Sequence, residues 1–332
     1  QTPAAAPAST PPAAPAPTLE AGVLPGPIRL DGRLDEPAWA ASPRIDDLTM
    51  SEPTPGAAPT GRTIVRVMAD RRSIVIGVRC EDPDPAGIVS FTKARDASQQ
   101  NEDHVKVALD TFRDGRSGYV FSVNPGGARY DALVEPGGEG ENANWDGLWE
   151  AATSRDAGGW SLEIRIPVST LSFRQGAGSW NFNVQRRIQR LQEISRWSGW
   201  SRDYKVTQTS RAGELTGLPD FDLGVGLTVR PAVTTGGGIP APDAGVDGSF
   251  QPSLDVTQRL GSNLLGSLTV NTDFAETEVD TRRTNLTRFP LFFPEKRTFF
   301  LQGADIFAFG LGLGQSLLPY YSRRVGLVSG TE

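Results

Sequence analysis

Trp145, Asp146 and Trp149 fall within five residues, in WDGLW, directly after a glycine-rich acidic loop that runs from Glu135 to Asn144. Flat aromatic rings can stack on the C–H faces of a sugar, and a neighbouring carboxylate accepts hydrogen bonds from its hydroxyls. This spacing therefore reads as a ligand platform. The alternative is that Trp149 begins a strand and lies in a core, leaving only Trp145 exposed. Arg129 and Asp131 are two residues apart, so on a strand they share a face and join the same candidate ligand-binding set. Trp197 and Trp200, in RWSGWSRDY, read either as a second aromatic edge or as sheet packing.

Other chemistries are poorly served. Asp110 and Asp114, with Asp103, offer hard oxygen ligands of the kind calcium takes, but the spacing of a calcium-binding hand is absent. Solvated turn carboxylates are the competing reading. The chain has one histidine and one cysteine, which leaves no His/Cys zinc set and little for a catalytic triad. Gly-x-Ser-x-Gly is missing, and no glycine-rich loop leads from a strand into a helix to hold phosphate. Glu139 and Glu141 lie on a loop too soft for paired-carboxylate glycoside hydrolysis. His104 shares a strand face with Lys106 and Asp110, which reads as a surface or edge position. Haem ligation through it with Met50 or Met68 is disfavoured.

The elements that must position these groups are strands. Val105, Val107 and Leu109 alternate with His104, Lys106 and Asp110. A polar turn follows at Arg113–Arg116, and Tyr119, Phe121 and Val123 resume the alternation. Arg62–Ala69 and Ser73–Cys80 predict a second hairpin. Trp160, Leu162, Ile164 and Ile166 point one way from a further strand, with Ser161, Glu163 and Arg165 on its other side. Strands are also expected at Arg129–Val134, Trp149–Thr153, Trp180–Ile188 and Glu193–Trp200. Asp35 or Glu36 is placed to cap a short helix that carries Trp39 as a core plug. Cys80 ends a strand as a buried thiol. With 37 glycines and 26 prolines punctuating short apolar runs, the 332 residues read as all-β. The fold class expected is an antiparallel β-sandwich with an irregular β-rich extension.

Three regions follow: a Pro/Ala-rich extended tail over 1–22, a sandwich over 23–222, and a β/loop extension over 223–332. The tail cannot build a core and reads as lying along a partner surface. A chain that starts at Gln reads as a mature, exported form whose signal peptide has been removed. A net charge of −6 with mixed signs argues against nucleic acid. No apolar run reaches the ~20 residues of a spanning helix.

In order along the chain, LDGRLDEPAW, NEDHVKVALDTFRD, FSVNPGGARYD, WDGLWEA, GWSLEIRIPVSTLSF and WNFNVQRRIQR resemble the family 9 carbohydrate-binding modules. The closer likeness is to the version at the N-terminus of bacterial outer-membrane proteins. LTVNTDFAETEVDTRRTNLTRFPLFFPEKRTFFLQGADIF resembles the segment that there leads into a β-barrel. The resemblance covers about 23–222 and implies a sandwich fold, glycan binding, structural calcium and no catalytic residue. It places the chain in the periplasm or at the outer membrane. Strands at Leu227–Thr234, Phe250–Thr257 and Leu264–Asn271 look like early barrel strands. Residues 223–332 are nonetheless too few for a closed barrel of at least ~8 strands. The crowded Phe292, Phe293, Phe299 and Phe300 read as a partner-binding segment, with a local core under a loop as the alternative. A second reading of the whole follows from them: an accessory subunit docked on a membrane protein complex.

Overall fold

The computed structural model describes residues 16–223, 226–238, 247–260 and 264–270. Two β-sheets face each other and a separate three-stranded sheet follows, so the chain is mostly β, as the alternation predicts. The Phe-rich segment, with Phe292, Phe293, Phe299 and Phe300, lies outside the described residues, as does most of the Pro/Ala-rich tail.

The first sheet has Trp180–Ile188, His104–Asp110, Tyr119–Val123 and Arg129–Val134 side by side, antiparallel. Gly213–Thr216 borders Trp180–Ile188, and Thr18–Glu20 runs parallel to it, so pairing begins within the stretch read as tail. The second sheet runs Glu150–Asp156, Gly159–Pro167, Ser73–Glu81, Thr63–Ala69. Register explains the core. Val107 pairs with Val184 and Phe121, and Leu109 with Phe182 and Tyr119, so one face of the first sheet is continuously apolar. Opposite it, Trp160, Leu162, Ile164 and Ile166 are buried on alternate positions of one strand. Trp160, Trp180 and Phe121 are fully enclosed, and each such side chain contributes roughly 2–3 kcal/mol by leaving water.

The outer face of the second sheet is half covered by the segment from Leu24 to Ala41. Its short helix, Pro37–Ala41, lays Trp39 on Met68 and Val75. Gly77 makes this possible, since a Cβ there would come within 2.8 Å of the Trp39 ring. The helix is not capped as the sequence predicts. Neither acidic side chain bonds its N-terminus, and Glu36 instead accepts the N–H of Arg29. The tie that fixes this segment is Glu163, which is fully buried. Its carboxylate accepts the N–H groups of Asp31 and Gly32 at 2.9 and 2.8 Å, and the Trp39 indole N–H at 3.1 Å. Burial pushes the Glu163 carboxyl above its ordinary pKa, and the three donors work against that rise.

His104 corrects the sequence reading. It lies on the outward side of its strand, but the chain from Gln99 to Glu102 folds over it and it is buried. Its Nδ1 sits 3.1 Å from the carbonyl oxygens of Gln99 and Glu102, and burial lowers its pKa to about 3. Cys80 is buried as predicted, and burial raises its thiol to about 11.

In the third sheet, Leu227–Gly238, Asp247–Leu260 and Leu264–Val270 pair antiparallel. Val229 faces Val256, which faces Leu268, and Leu254 faces Val270. One side of this sheet therefore gathers Leu227, Val229, Val233, Phe250, Leu254, Leu268 and Val270, all exposed. The other side carries Thr228, Arg230, Asp255, Thr257, Ser267 and Thr269.

Candidate functional site

Arg129–Val134 is the outer long strand of the first sheet. Its inward-facing side chains open at the sandwich edge, against the segment that leads into Glu150–Asp156. There the structure brings together all five residues singled out in the sequence. Asp131 is fully buried and accepts the Trp149 indole N–H at 2.9 Å and the Gly147 N–H at 2.7 Å. Arg129, on the same face as predicted, donates to the Trp149 carbonyl and lies over the Trp149 ring, 5.5 Å from its centroid. Asp146 points out, with 71% of its side chain exposed.

The roles of the two tryptophans differ from the platform reading. Trp145 is 4% exposed and Trp149 3%. The Trp145 ring packs on Tyr119 at 5.0 Å, and the Trp149 ring meets Phe121 edge-on at 5.1 Å. Both rings belong to the core, so neither offers a face to stack on a ligand. The physical reason is the edge itself. An open sandwich end must be plugged, and two indoles bury more apolar area there than WDGLW could gain at the surface. Trp197 is likewise buried, packed on Phe182, which leaves Trp200 as the exposed member of that pair.

Two residues of the site were not read from the sequence. Arg95 donates to Asp131 Oδ1 and to the Gly147 carbonyl, both at 2.8 Å, and forms ion pairs with Asp96 and Asp146. Asp96, in a left-handed backbone conformation at φ 58°, accepts the Asp131 N–H. Both sit in the irregular stretch between Gly87 and His104, where no period marks a residue as facing anything. The only local signal was the adjacent opposite charges in KARD. Burial raises the carboxyls of Asp131 and Asp96. Burial opposes the charge on Arg95, but Asp131 and Asp146 outweigh it and hold its pKa above the ordinary value.

Carboxylate oxygens of Asp96, Asp131 and Asp146 lie within 4.8 Å of one another, a spacing a cation could use. Arg95 already supplies positive charge to all three, so a metal would have to displace it. Asp110 and Asp114, the calcium candidates of the sequence, have backbone donors as partners. Asp110 accepts backbone N–H groups from Arg113 at 2.7 Å and Gly115 at 2.8 Å, and the Asn181 amide at 2.8 Å. Asp114 accepts from the N–H groups of Arg116 and Ser117, each at 2.8 Å. Donor hydrogens point at the oxygens a cation would need. These carboxylates hold the turn of the central hairpin. Asp103 accepts the Gln189 N–H at 2.9 Å inside the fold.

Comparison with known proteins found similarity in two parts of the chain. Residues 246–331 match a family described as a domain of unknown function, DUF5916. The chain is similar to a carbohydrate binding module family 9 from Caldicellulosiruptor kristjanssonii, solved in complex with cellotriose. The two are 15% identical with a TM-score of 0.44, over 62% of this chain and 95% of that one. The same module in complex with glucose is 14% identical with a TM-score of 0.44, over 63% and 99%. A proposed carbohydrate-binding protein from Bacteroides uniformis is 13% identical with a TM-score of 0.46, over 62% and 99%. No curated protein matches the chain.

Proposed function

We propose that the chain is a non-catalytic glycan-binding protein at the outer membrane, with the Arg95–Asp146 edge of the sandwich as its binding surface and the apolar face of its third sheet toward lipid. The observation that supports binding most is the position of Arg95. It stands at the surface beside the exposed Asp146 and is braced from within by Asp131. A guanidinium and a carboxylate fixed side by side donate to and accept from vicinal hydroxyls at once. The proposal of binding without catalysis is supported by the lone histidine and lone cysteine. Both are buried and held neutral, so neither serves as a base or nucleophile.

The membrane part is supported by the third sheet. Strands of 12 and 14 residues reach about 40–46 Å at ~3.3 Å per residue, enough to cross an apolar layer of ~25 Å at a tilt. Their large exposed apolar residues fall on one face and their charged residues Arg230 and Asp255 on the other, the alternation of a strand with lipid on one side.

Leu254→Cys carrying an environment-sensitive dye will be quenched by brominated lipid chains when the whole chain is reconstituted in vesicles. Asp255→Cys, one residue on and facing the other way, will not. Cys80 is buried and takes no label. Equal quenching at the two positions would remove the lipid-facing assignment.

A further inference from the structure

A second surface lies on the outer face of the other sheet. Where the segment carrying Leu34 and Trp39 stops covering that face, a groove of about 490 Å³ opens. Its floor is one cross-strand row, in which Ile64 pairs with Arg79, Arg79 with Ser161, and Ser161 with Ser154. Arg66, one step along from Ile64, rises at one side, while Arg33 and Arg155 stand on the rim. Four arginines against Asp35 and Asp156 make this groove positive on a chain whose net charge is −6.

Partners separate the four. Arg79 is held by Asp156 through two bonds of 2.7 Å, and Arg155 gives its Nε to the Pro125 carbonyl. Ser161 is committed to the Gly32 carbonyl at 2.6 Å. Arg66 is different. Its Nε is buried with no hydrogen-bond partner among the described residues. Arg44 is its neighbour on the adjoining strand, and Arg62 adds further like charge. The carboxylate whose charge favours this group, Asp46, is bonded to Arg62 at 2.5 Å and also pairs with Arg44. A half-buried guanidinium among other guanidiniums thus shares one carboxylate with two competitors and has no acceptor bonded to itself. Arg66 also lines the groove, where its guanidinium has no hydrogen-bonded acceptor among the described residues and is left to an incoming oxyanion.

We propose that this groove binds a saccharide bearing oxyanions, with Arg66 and Arg33 as its ligands. The planar guanidinium fork suits carboxylate, sulfate and phosphate alike, and Ser154 and the Ile64 side chain supply the polar and apolar contacts a sugar ring takes. The oxyanion could come from an acidic polysaccharide or from the phosphorylated head of a glycolipid. The site is separate from the Arg95 edge and does not depend on the reading given to it.

The test titrates the full chain in detergent with a dye-labelled galacturonate trimer, a matching neutral trimer, and a phosphorylated glucosamine disaccharide in micelles. The anionic probes are expected to saturate, with binding that falls at least tenfold in Arg66→Ala, several-fold in Arg33→Ala, and steeply with salt. Preference between the two anionic probes identifies the source. Arg66→Lys keeps the charge and loses the fork, so it should bind more weakly than wild type and more tightly than Arg66→Ala. Arg95→Ala should leave anionic binding unchanged while removing any binding of neutral glycan, which keeps the two sites distinguishable. The proposal is overturned if the neutral trimer binds the groove as well as the anionic one. It is equally overturned if the exposed Arg33→Ala and the conservative Arg66→Lys both bind as wild type does.

Discussion

Glu163→Ala lowers the unfolding free energy by about 4 kcal/mol. Three donors lose their acceptor together: the Asp31 and Gly32 N–H groups and the Trp39 indole. Each buried donor left unpaired costs about 1–3 kcal/mol. Against this stands the relief of removing a carboxyl that burial already disfavours in its charged form. The loss prevails because the donors act on one segment. Once Asp31–Gly32 is released, Trp39 loses its anchor on Met68 and Val75, and that apolar cover loosens with it. Urea unfolding should show a lower midpoint with an unchanged slope. Glu163→Gln keeps a carbonyl acceptor but turns an amide toward N–H donors, so it should fall between wild type and alanine. A loss below 1 kcal/mol in the alanine variant would mean that the segment is held by packing alone.

Asp131→Ala is expected to cost about 3 kcal/mol and to remove glycan binding as well. It strips the acceptor from the Trp149 indole and the Gly147 N–H, both buried at the sandwich edge. It also frees Arg95 from its charged inner brace, leaving that guanidinium to the Gly147 carbonyl and to its ion pairs with Asp96 and Asp146. Exposed ion pairs of that kind hold geometry poorly, at ~0–1 kcal/mol each. Near-ultraviolet circular dichroism should register the altered packing of Trp149, while far-ultraviolet spectra stay those of a β protein. Asp131→Asn is the sharper comparison. It is isosteric and retains one acceptor oxygen, so it should keep most of the stability and lose the charge that fixes Arg95. If Asp131→Asn binds glycan as wild type does, Arg95 is not positioned by Asp131.

Much of this architecture is legible in the sequence. The alternation of Val105, Val107 and Leu109 with their polar neighbours placed the inward face of the central strand, because a half-buried strand has a period of two and little else produces it. The same rule placed Trp160, Leu162, Ile164 and Ile166 inward and Glu163 outward. It did not say that Glu163 would be buried. Burial on an outer face depends on which distant segment folds across it, here the one bearing Asp31 and Trp39. His104 departs from its surface reading for the same reason, since the chain from Gln99 to Glu102 covers it.

The candidate edge divides along that line too. Arg129, Asp131, Asp146, Trp145 and Trp149 were picked on residue type and spacing, and they converge in space. Whether an indole plugs a core or greets a ligand depends on what lies behind it, and WDGLW carries no mark of Tyr119 or Phe121. Arg95 and Asp96 were invisible because irregular chain has no period to read. Asp110 and Asp114 carry a turn reading in the sequence beside the calcium one, though Asp110 is buried and not solvated. An aspartate two or three residues before free N–H groups, followed by Gly115, is the pattern of a side chain that closes a turn.

The most direct measurement of the central claim is calorimetric titration of the full chain, in detergent, with a panel of neutral oligosaccharides that includes β-glucan and xylan fragments. One member of the panel is expected to give saturable heat with a dissociation constant of millimolar or tighter, about −4 kcal/mol or better. That heat should vanish in Arg95→Ala and weaken at least tenfold in Asp146→Ala, with the thermal melt of Asp146→Ala unchanged. Absence of heat across the panel, or heat that survives both substitutions, would contradict the assignment of the sandwich edge as a glycan site.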